Sequence, residues 1–267
     1  MLTMGWFSTG LGEGSFGLLQ KVQQAIERGE LSAKMQFVFS NRELGEAEGS
    51  DHFFRKVNDY GIPLIMLSSQ RFRRERGGGP FSRHRLDFDR EVMKRLENYE
   101  PDVCVFAGYG LITDVEMCNR YTMLNLHPAL PGGPVGTWQQ VIWKIIEDMA
   151  KESGVYIHLA TEDLDMGPVL TYCSFPLTGG AFDTLWSKIK GRSVDDLKAA
   201  EGENLPLFQL IRQEGIKRER PLLLETLKAF ANGDIRMEGR NPLDVHGNPT
   251  GGLSLNVAIE TALEECG

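Results

Sequence analysis

The feature that most constrains this chain is a succession of short apolar runs, LTMGWF, AKMQFVFS, IPLIML, PDVCVFAG and MLNL, which, apart from Lys34 and Gln36 at the start of the second, do not alternate polar with apolar residues. A strand with one wet face alternates, so unbroken runs mark strands covered on both faces. The intervening segments SFGLLQKVQQAIERG, SDHFFRKVNDYG and LDFDREVMKRLENY carry apolar residues at helical spacing. Strands and amphipathic helices in turn predict an α/β fold, a mostly parallel twisted sheet with helices on both faces. Ligands of such sheets bind beyond the carboxyl ends of the strands.

Further along, TWQQVIWKIIEDMAKES reads as a helix, and GVYIHLAT and GPVLTYCSFPL as two strands around the turn LDMG. Between IPLIML and LDFDRE lies SQRFRRERGGGPFSRHR, read as an irregular basic stretch. From residue 178 the chain is polar and weakly periodic until the helix RPLLLETLKAFANGD, after which the tail is rich in loops. A chain of 267 residues, 41% of them apolar, can bury an ordinary core. The division expected is a core over residues 1–177 and a C-terminal extension over 178–267 packed on the same domain. Two roles stand open for the insertion over residues 178–220: covering a substrate site, or pairing two copies as a homodimer.

The 37 acidic and 29 basic residues leave a formal net charge of -8, which argues against a surface built to hold phosphate backbones. Nucleic acid is not an expected partner. Cys104, Cys118, Cys173 and Cys266 lack CxxC spacing, which suits reduced thiols, and no metal site is expected. No basic leader precedes an apolar stretch, and no run reaches the roughly 18 apolar residues of a membrane span. The expectation is a cytoplasmic protein without a membrane partner.

The strand MLNLHP ends with Asn125 and His127 on alternate residues, so both side chains leave on one side, their roots about 7 Å apart. An amide and an imidazolium can donate to the charge that forms on an attacked carbonyl, and histidine moves protons near neutral pH. Asp165 lies in the turn LDMGP, where Gly167 allows a sharp bend, and is expected to reach back and favour the charged imidazole. Read singly, a strand-end histidine is more often structural, and a turn aspartate commonly caps its own loop. Three polar groups on one rim point instead to a site.

NLHPALP followed by IHLATEDLDMGPVL resembles the signature of the folate-dependent formyltransferases. FVFSNRELGEAEG, DREVMKRLENYEPDVCVFAGYG and LKAFANGDIRM are similar, in the same order, to segments of the branch that acts on glycinamide ribonucleotide. The resemblance runs from the first strand to the neighbourhood of residue 250. It implies a Rossmann-like formyltransferase fold and transfer of a formyl group from the co-substrate 10-formyltetrahydrofolate to a primary amine, without a metal. The acceptor expected first is glycinamide ribonucleotide, in purine biosynthesis. By this resemblance Asn125 and His127 polarise the formyl oxygen, and Asp165 fixes the charge of His127 and relays a proton through water. His158 matches a second histidine of the family.

The resemblance also assigns binding residues. Gly12, Gly14 and Ser15 of GLGEGSFG open a helix and are expected to hold a substrate phosphate through backbone N–H groups, in a loop longer than the family's usual one. Tyr109, Gly110, Leu111 and Ile112 of AGYGLI stand where relatives carry an arginine and would wall the folate, with Thr161 and Leu164 of ATEDL opposite. Arg85 is expected near the folate-tail carboxylates, and Lys217 or Arg218 of IKRERP near the substrate phosphate. Other readings stay open: another amine acceptor such as an amino sugar nucleotide, hydrolysis of the formyl donor, and a nucleotide-binding relative without catalysis.

Overall fold

The computed structural model describes every residue except Leu164, Cys266 and Gly267. In chain order its elements are β1 (Leu2–Phe7), α1 (Glu13–Glu27), β2 (Ala33–Ser40), α2 (Glu48–Asp59), β3 (Leu64–Met66), α3 (Ser69–Glu75), α4 (Arg85–Arg95), β4 (Val103–Phe106), α5 (Val115–Arg120), β5 (Met123–His127) and α6 (Trp138–Glu147). They continue with β6 (Glu152–Leu159), β7 (Val169–Pro176), α7 (Gly180–Ile189), α8 (Val194–Ala200), α9 (Pro206–Asn232), β8 (Arg236–Glu238), β9 (Asn241–Leu243), β10 (Leu253–Ser254) and α10 (Asn256–Glu264).

Eight strands form one sheet in the order β10-β7-β6-β5-β4-β1-β2-β3, and β8 with β9 form a separate hairpin. The strands from β3 through β1 to β5 pair in parallel, whereas β6 runs antiparallel to both β5 and β7. The sheet is therefore α/β and mostly parallel, as the unbroken apolar runs require. From β1 the chain passes outward through β2 and β3 and returns to β4 on the other side. That reversal opens a crevice at the carboxyl ends of β1 and β4, where open sheets of this kind bind their ligands.

Alternate residues of β1 serve two cores. Met4 and Trp6 pack with Leu19 and Val22 of α1 and with Leu222 and Leu227 of α9, while Phe7 packs with Phe37, Phe39, Phe88 and Phe106 on the opposite face. This double burial is why β1 carries no polar alternation. α9 lies against β6, β7 and α1, and Ile259 of α10 joins the same core as Met4.

Several elements differ from the sequence expectations. The basic stretch after β3 is not irregular throughout: Ser68 accepts the Arg71 N–H and caps α3, whose Phe72 is buried. α5, with Asp114 as its cap, was not expected, and α6 stops at Glu147, six residues before the predicted end at Ser153. The weakly periodic region after residue 178 holds α7 and α8, the latter capped by Ser193. α9 begins at Pro206, well before the expected Arg220, and carries the charged IKRERP segment with Pro221 in its interior. The missing N–H of Pro221 leaves the Lys217 carbonyl without its helical partner. Burial of Leu222, Leu223 and Leu227 beside that break keeps the helix continuous.

Candidate active site

β5 and β6 are antiparallel neighbours, in a register that sets Asn125 opposite His158 and His127 opposite Tyr156. Residues two apart on each strand share a face, so these four side chains gather on one side of the sheet. The turn after β6 then brings Asp165 onto them. Its Oδ2 lies 3.3 Å from His127 Nδ1 and its Oδ1 lies 3.5 Å from His158 Nε2. Asn125 Nδ2 donates to Asp165 Oδ1 at 3.3 Å and to His158 Nε2 at 3.1 Å. The Asp165 side chain is 5% exposed and that of His127 3%. The expected meeting of Asn125, His127 and Asp165 is thus the geometry observed, with His158 in the same cluster.

The turn is held by contacts that its sequence does not announce. Asp165 takes φ 57°, a left-handed conformation uncommon for a residue with a side chain. Tyr156 Oη donates to the Asp165 carbonyl at 3.3 Å, and Gly136 N–H donates to Asp165 Oδ2 at 3.5 Å. The bend at Gly167 has a different cause from the one expected. Its φ is not positive; a Cβ there would stand 1.6 Å from the Leu159 carbonyl oxygen, so glycine is required by close approach of two backbones.

His127 Nε2 lies 2.8 Å from the Pro134 carbonyl, so each ring nitrogen faces an acceptor, and only the doubly protonated ring fills both with donors. His158 Nε2 lies 3.1 Å from the Asn125 amide nitrogen and 3.5 Å from Asp165 Oδ1, and its Nδ1 lies 3.2 Å from the Leu159 carbonyl. Burial works against ionisation of Asp165, but the hydrogen bonds from His127 and His158 and their charge outweigh it and hold the carboxyl well below the usual carboxylate range. Chemically, the cluster is an imidazole held against a stable carboxylate at a sheet end. Its two outward donors are engaged: Pro134 holds His127 Nε2, and Asp165 with His158 hold the Asn125 amide.

The other expected residues are scattered along the rim and beyond it. Gly12 caps α1 without a side-chain bond, and Glu13 puts a negative charge into the first turn, where a phosphate was expected. Gly14 is exposed, and Ser15 Oγ abuts Gly108 at the end of β4. The Tyr109 ring turns into the aromatic core, stacked on Phe106 at 5.2 Å. Gly110 N–H is not free to meet a heterocycle, since it donates to Thr9 Oγ1, while Leu111 is half-buried and Ile112 is exposed. Thr161 caps its own loop by donating to the Asp163 carbonyl, and Leu164 lies outside the described residues. Arg85 opens α4 beside the buried carboxyl of Asp89. Lys217 and Arg218 are not available for a phosphate: Lys217 pairs with Glu214, and Arg218 with Glu214 and Glu260.

Tyr156, Pro134 and Gly136 were not expected. Tyr156 had a signal, because YIH in β6 mirrors NLH in β5 once the two strands are paired antiparallel. The Pro134 and Gly136 contacts use backbone atoms and leave no mark on residue type.

A family model described as formyl transferase matches residues 10–181. The phosphoribosylglycinamide formyltransferase of Escherichia coli (strain K12) is 28% identical over 168 residues, 61% of this chain and 69% of that protein. The phosphoribosylglycinamide formyltransferase of Dictyostelium discoideum is 26% identical over 169 residues, covering 60% and 78%. Among solved structures, phosphoribosylglycinamide formyltransferase from Coxiella burnetii superposes with a TM-score of 0.66 at 21% identity, over 95% of this chain and 98% of that one. A formyltetrahydrofolate deformylase from Pseudomonas syringae gives 0.60 at 17% identity, over 91% and 65%. At these identities the structural likeness speaks for the fold.

Proposed function

This chain belongs to the formyl transferase family, and we propose that it moves a formyl group from 10-formyltetrahydrofolate to the primary amine of glycinamide ribonucleotide, in purine biosynthesis. The observation that carries the reading is the closure of Asp165 onto Asn125 and His127 at the carboxyl end of β5. The donor set suits a carbonyl substrate. The outward nitrogen of His127 is held by a single loop carbonyl, that of Pro134, which a formyl oxygen can replace. When bound, the folate supplies the formyl group and the leaving nitrogen.

The roles of the side chains follow from their chemistry. His127, doubly protonated, donates from Nε2 to the oxygen on which negative charge gathers as the amine attacks. Asn125 adds a second donor when its amide exchanges one inward partner for that oxygen. Asp165 is held so far below the ordinary range that it is a weak base, so its part is to keep His127 charged and oriented. His158 and Tyr156 hold Asp165 in place. Arg85, Thr161, Leu111 and Ile112 stay candidates for the folate side, and Gly12, Gly14 and Ser15 for the acceptor side.

The test is turnover by the purified chain, with 10-formyltetrahydrofolate and a panel of amines that includes glycinamide ribonucleotide and an amino sugar nucleotide. Tetrahydrofolate release that depends on glycinamide ribonucleotide supports the reading. Formate release without any amine, or tetrahydrofolate release with another amine only, counts against it.

A further inference from the structure

Several arginines near this end of the sheet are committed. Arg71 is paired with Glu43 and Glu75, Arg90 with Glu116, Arg95 with Glu91, and Arg76 lies over the Phe72 ring. Arg42 and Arg73 are exceptions. Among the described residues neither guanidinium makes an ion pair or a hydrogen bond, and the Nε of Arg42 is buried without a partner. Both line one cleft of about 370 Å³.

That cleft sits at the carboxyl ends of β1, β2 and β4, where the strand order reverses. Its wall is built in advance: Thr9 donates to Asn41 Oδ1 at 2.8 Å, Asn41 Nδ2 donates to Ser69 Oγ at 3.4 Å, and Gly110 N–H donates to Thr9 Oγ1 at 3.1 Å. These neutral groups satisfy one another, so the open donors are the two guanidiniums. Among the described residues no acidic side chain lines the cleft, in a chain with a formal charge of -8. The nearby carboxylate that could have neutralised it, Glu43, is held by Arg71. A buried guanidinium nitrogen without an acceptor is costly, and a planar fork matches phosphate and carboxylate oxygens. Leu11 of the glycine-rich loop and Leu111 after β4 border the cleft, which places it on the same sheet rim as Asn125 and His127.

We propose that Arg42 and Arg73 form a binding site for a doubly charged oxyanion, the phosphate or dicarboxylate end of one reactant. It rests on the formyl transfer reading only for which reactants are at hand, one bearing a phosphate and the other a dicarboxylate tail. The pair adds to the expected anchors: Glu13 puts a negative charge beside Gly12, and Arg85, whose Nε is likewise buried without a hydrogen bond, lies beside the carboxyl of Asp89.

The experiment is calorimetric binding of ribose 5-phosphate and, separately, of 4-aminobenzoylglutamate to the whole chain, in wild type, Arg42→Gln, Arg73→Gln and the charge-retaining Arg42→Lys. One fragment should bind wild type, with affinity falling as salt rises. Each Gln variant should weaken it about tenfold or more, Arg42→Lys less, and Arg55→Gln on the far exposed face of α2 should leave it unchanged. The fragment that responds identifies the source of the anion. Binding of neither fragment, or equal binding by wild type and both Gln variants, overturns the proposal. Because no formyl transfer is read, the result stands whatever the acceptor proves to be.

Discussion

The carboxylate of Asp165 stands 3.3 Å from Nδ1 of His127, and both side chains are almost wholly enclosed although they come from different strand ends. The pair fixes the orientation of the ring at the sheet rim. Removing either member should lower turnover about 10²-fold or more, because acid-base and electrostatic help are lost together. His127→Ala and Asp165→Asn are the variants to assay; unchanged kcat in either removes that residue from the chemistry.

The same pair has a signature in stability. The folded-state pKa of Asp165 lies below its unfolded value of about 4, so its contribution is fully present above that pH and is lost as pH falls through the folded value. Asp165→Asn should therefore melt below wild type at pH 5 and above, and the gap should narrow under more acid conditions. Melting curves separated by a constant interval from pH 7 to pH 3 would contradict the pairing.

Much of the fold was legible because burial on both faces writes an unmistakable pattern. β1 and β4 are almost wholly apolar, as is β2 beyond Gln36, and no surface helix reads that way. The short helices were hidden for the opposite reason: α5 and α8 bury few residues and owe their starts to single caps, Asp114 and Ser193. The first half of α9 was lost at Pro221 and the charge run before it, whose Arg218 is in fact enclosed and paired to Glu260. In the site, Asn125, His127 and Asp165 were legible as residue types on one rim. Pro134 and Gly136 act through backbone atoms, and the Arg42 and Arg73 cleft joins segments far apart in sequence, so neither could be read from spacing.

Tyr156 steadies the left-handed backbone at Asp165 through a hydrogen bond to its carbonyl and through its ring, 5.2 Å from that of His127. Tyr156→Phe keeps the ring and loses the bond. Stability should drop by about 1 kcal/mol and kcat by several-fold, with the sheet intact. Thermal denaturation alongside steady-state rates reads both.

Gly167 tolerates no side chain, since even a methyl would overlap the Leu159 carbonyl. Gly167→Ala should displace the Asp165 turn, costing on the order of a few kcal/mol and most of the activity. Wild-type melting and turnover in that variant would mean that the two backbones are not in contact.

Asp89 supplies a pH effect of opposite sign. Burial pushes its carboxyl up to about 7, against the backbone bond from Asp114 and the nearby charge of Arg85. A raised folded-state value stabilises below the unfolded value and is lost as pH rises through about 7. Asp89→Asn should therefore gain on wild type between pH 4 and pH 7 and remain the more stable above that. Parallel melting profiles for the two proteins rule this out.

The most direct test traces the formyl carbon itself. With 10-formyltetrahydrofolate labelled in its formyl group, wild type should place the label on the amine of glycinamide ribonucleotide, and a folded Asp165→Asn protein should do so about a hundredfold more slowly. Label appearing only as formate, or at the same rate in the two proteins, contradicts an enclosed imidazolium and carboxylate acting on a transferred carbonyl.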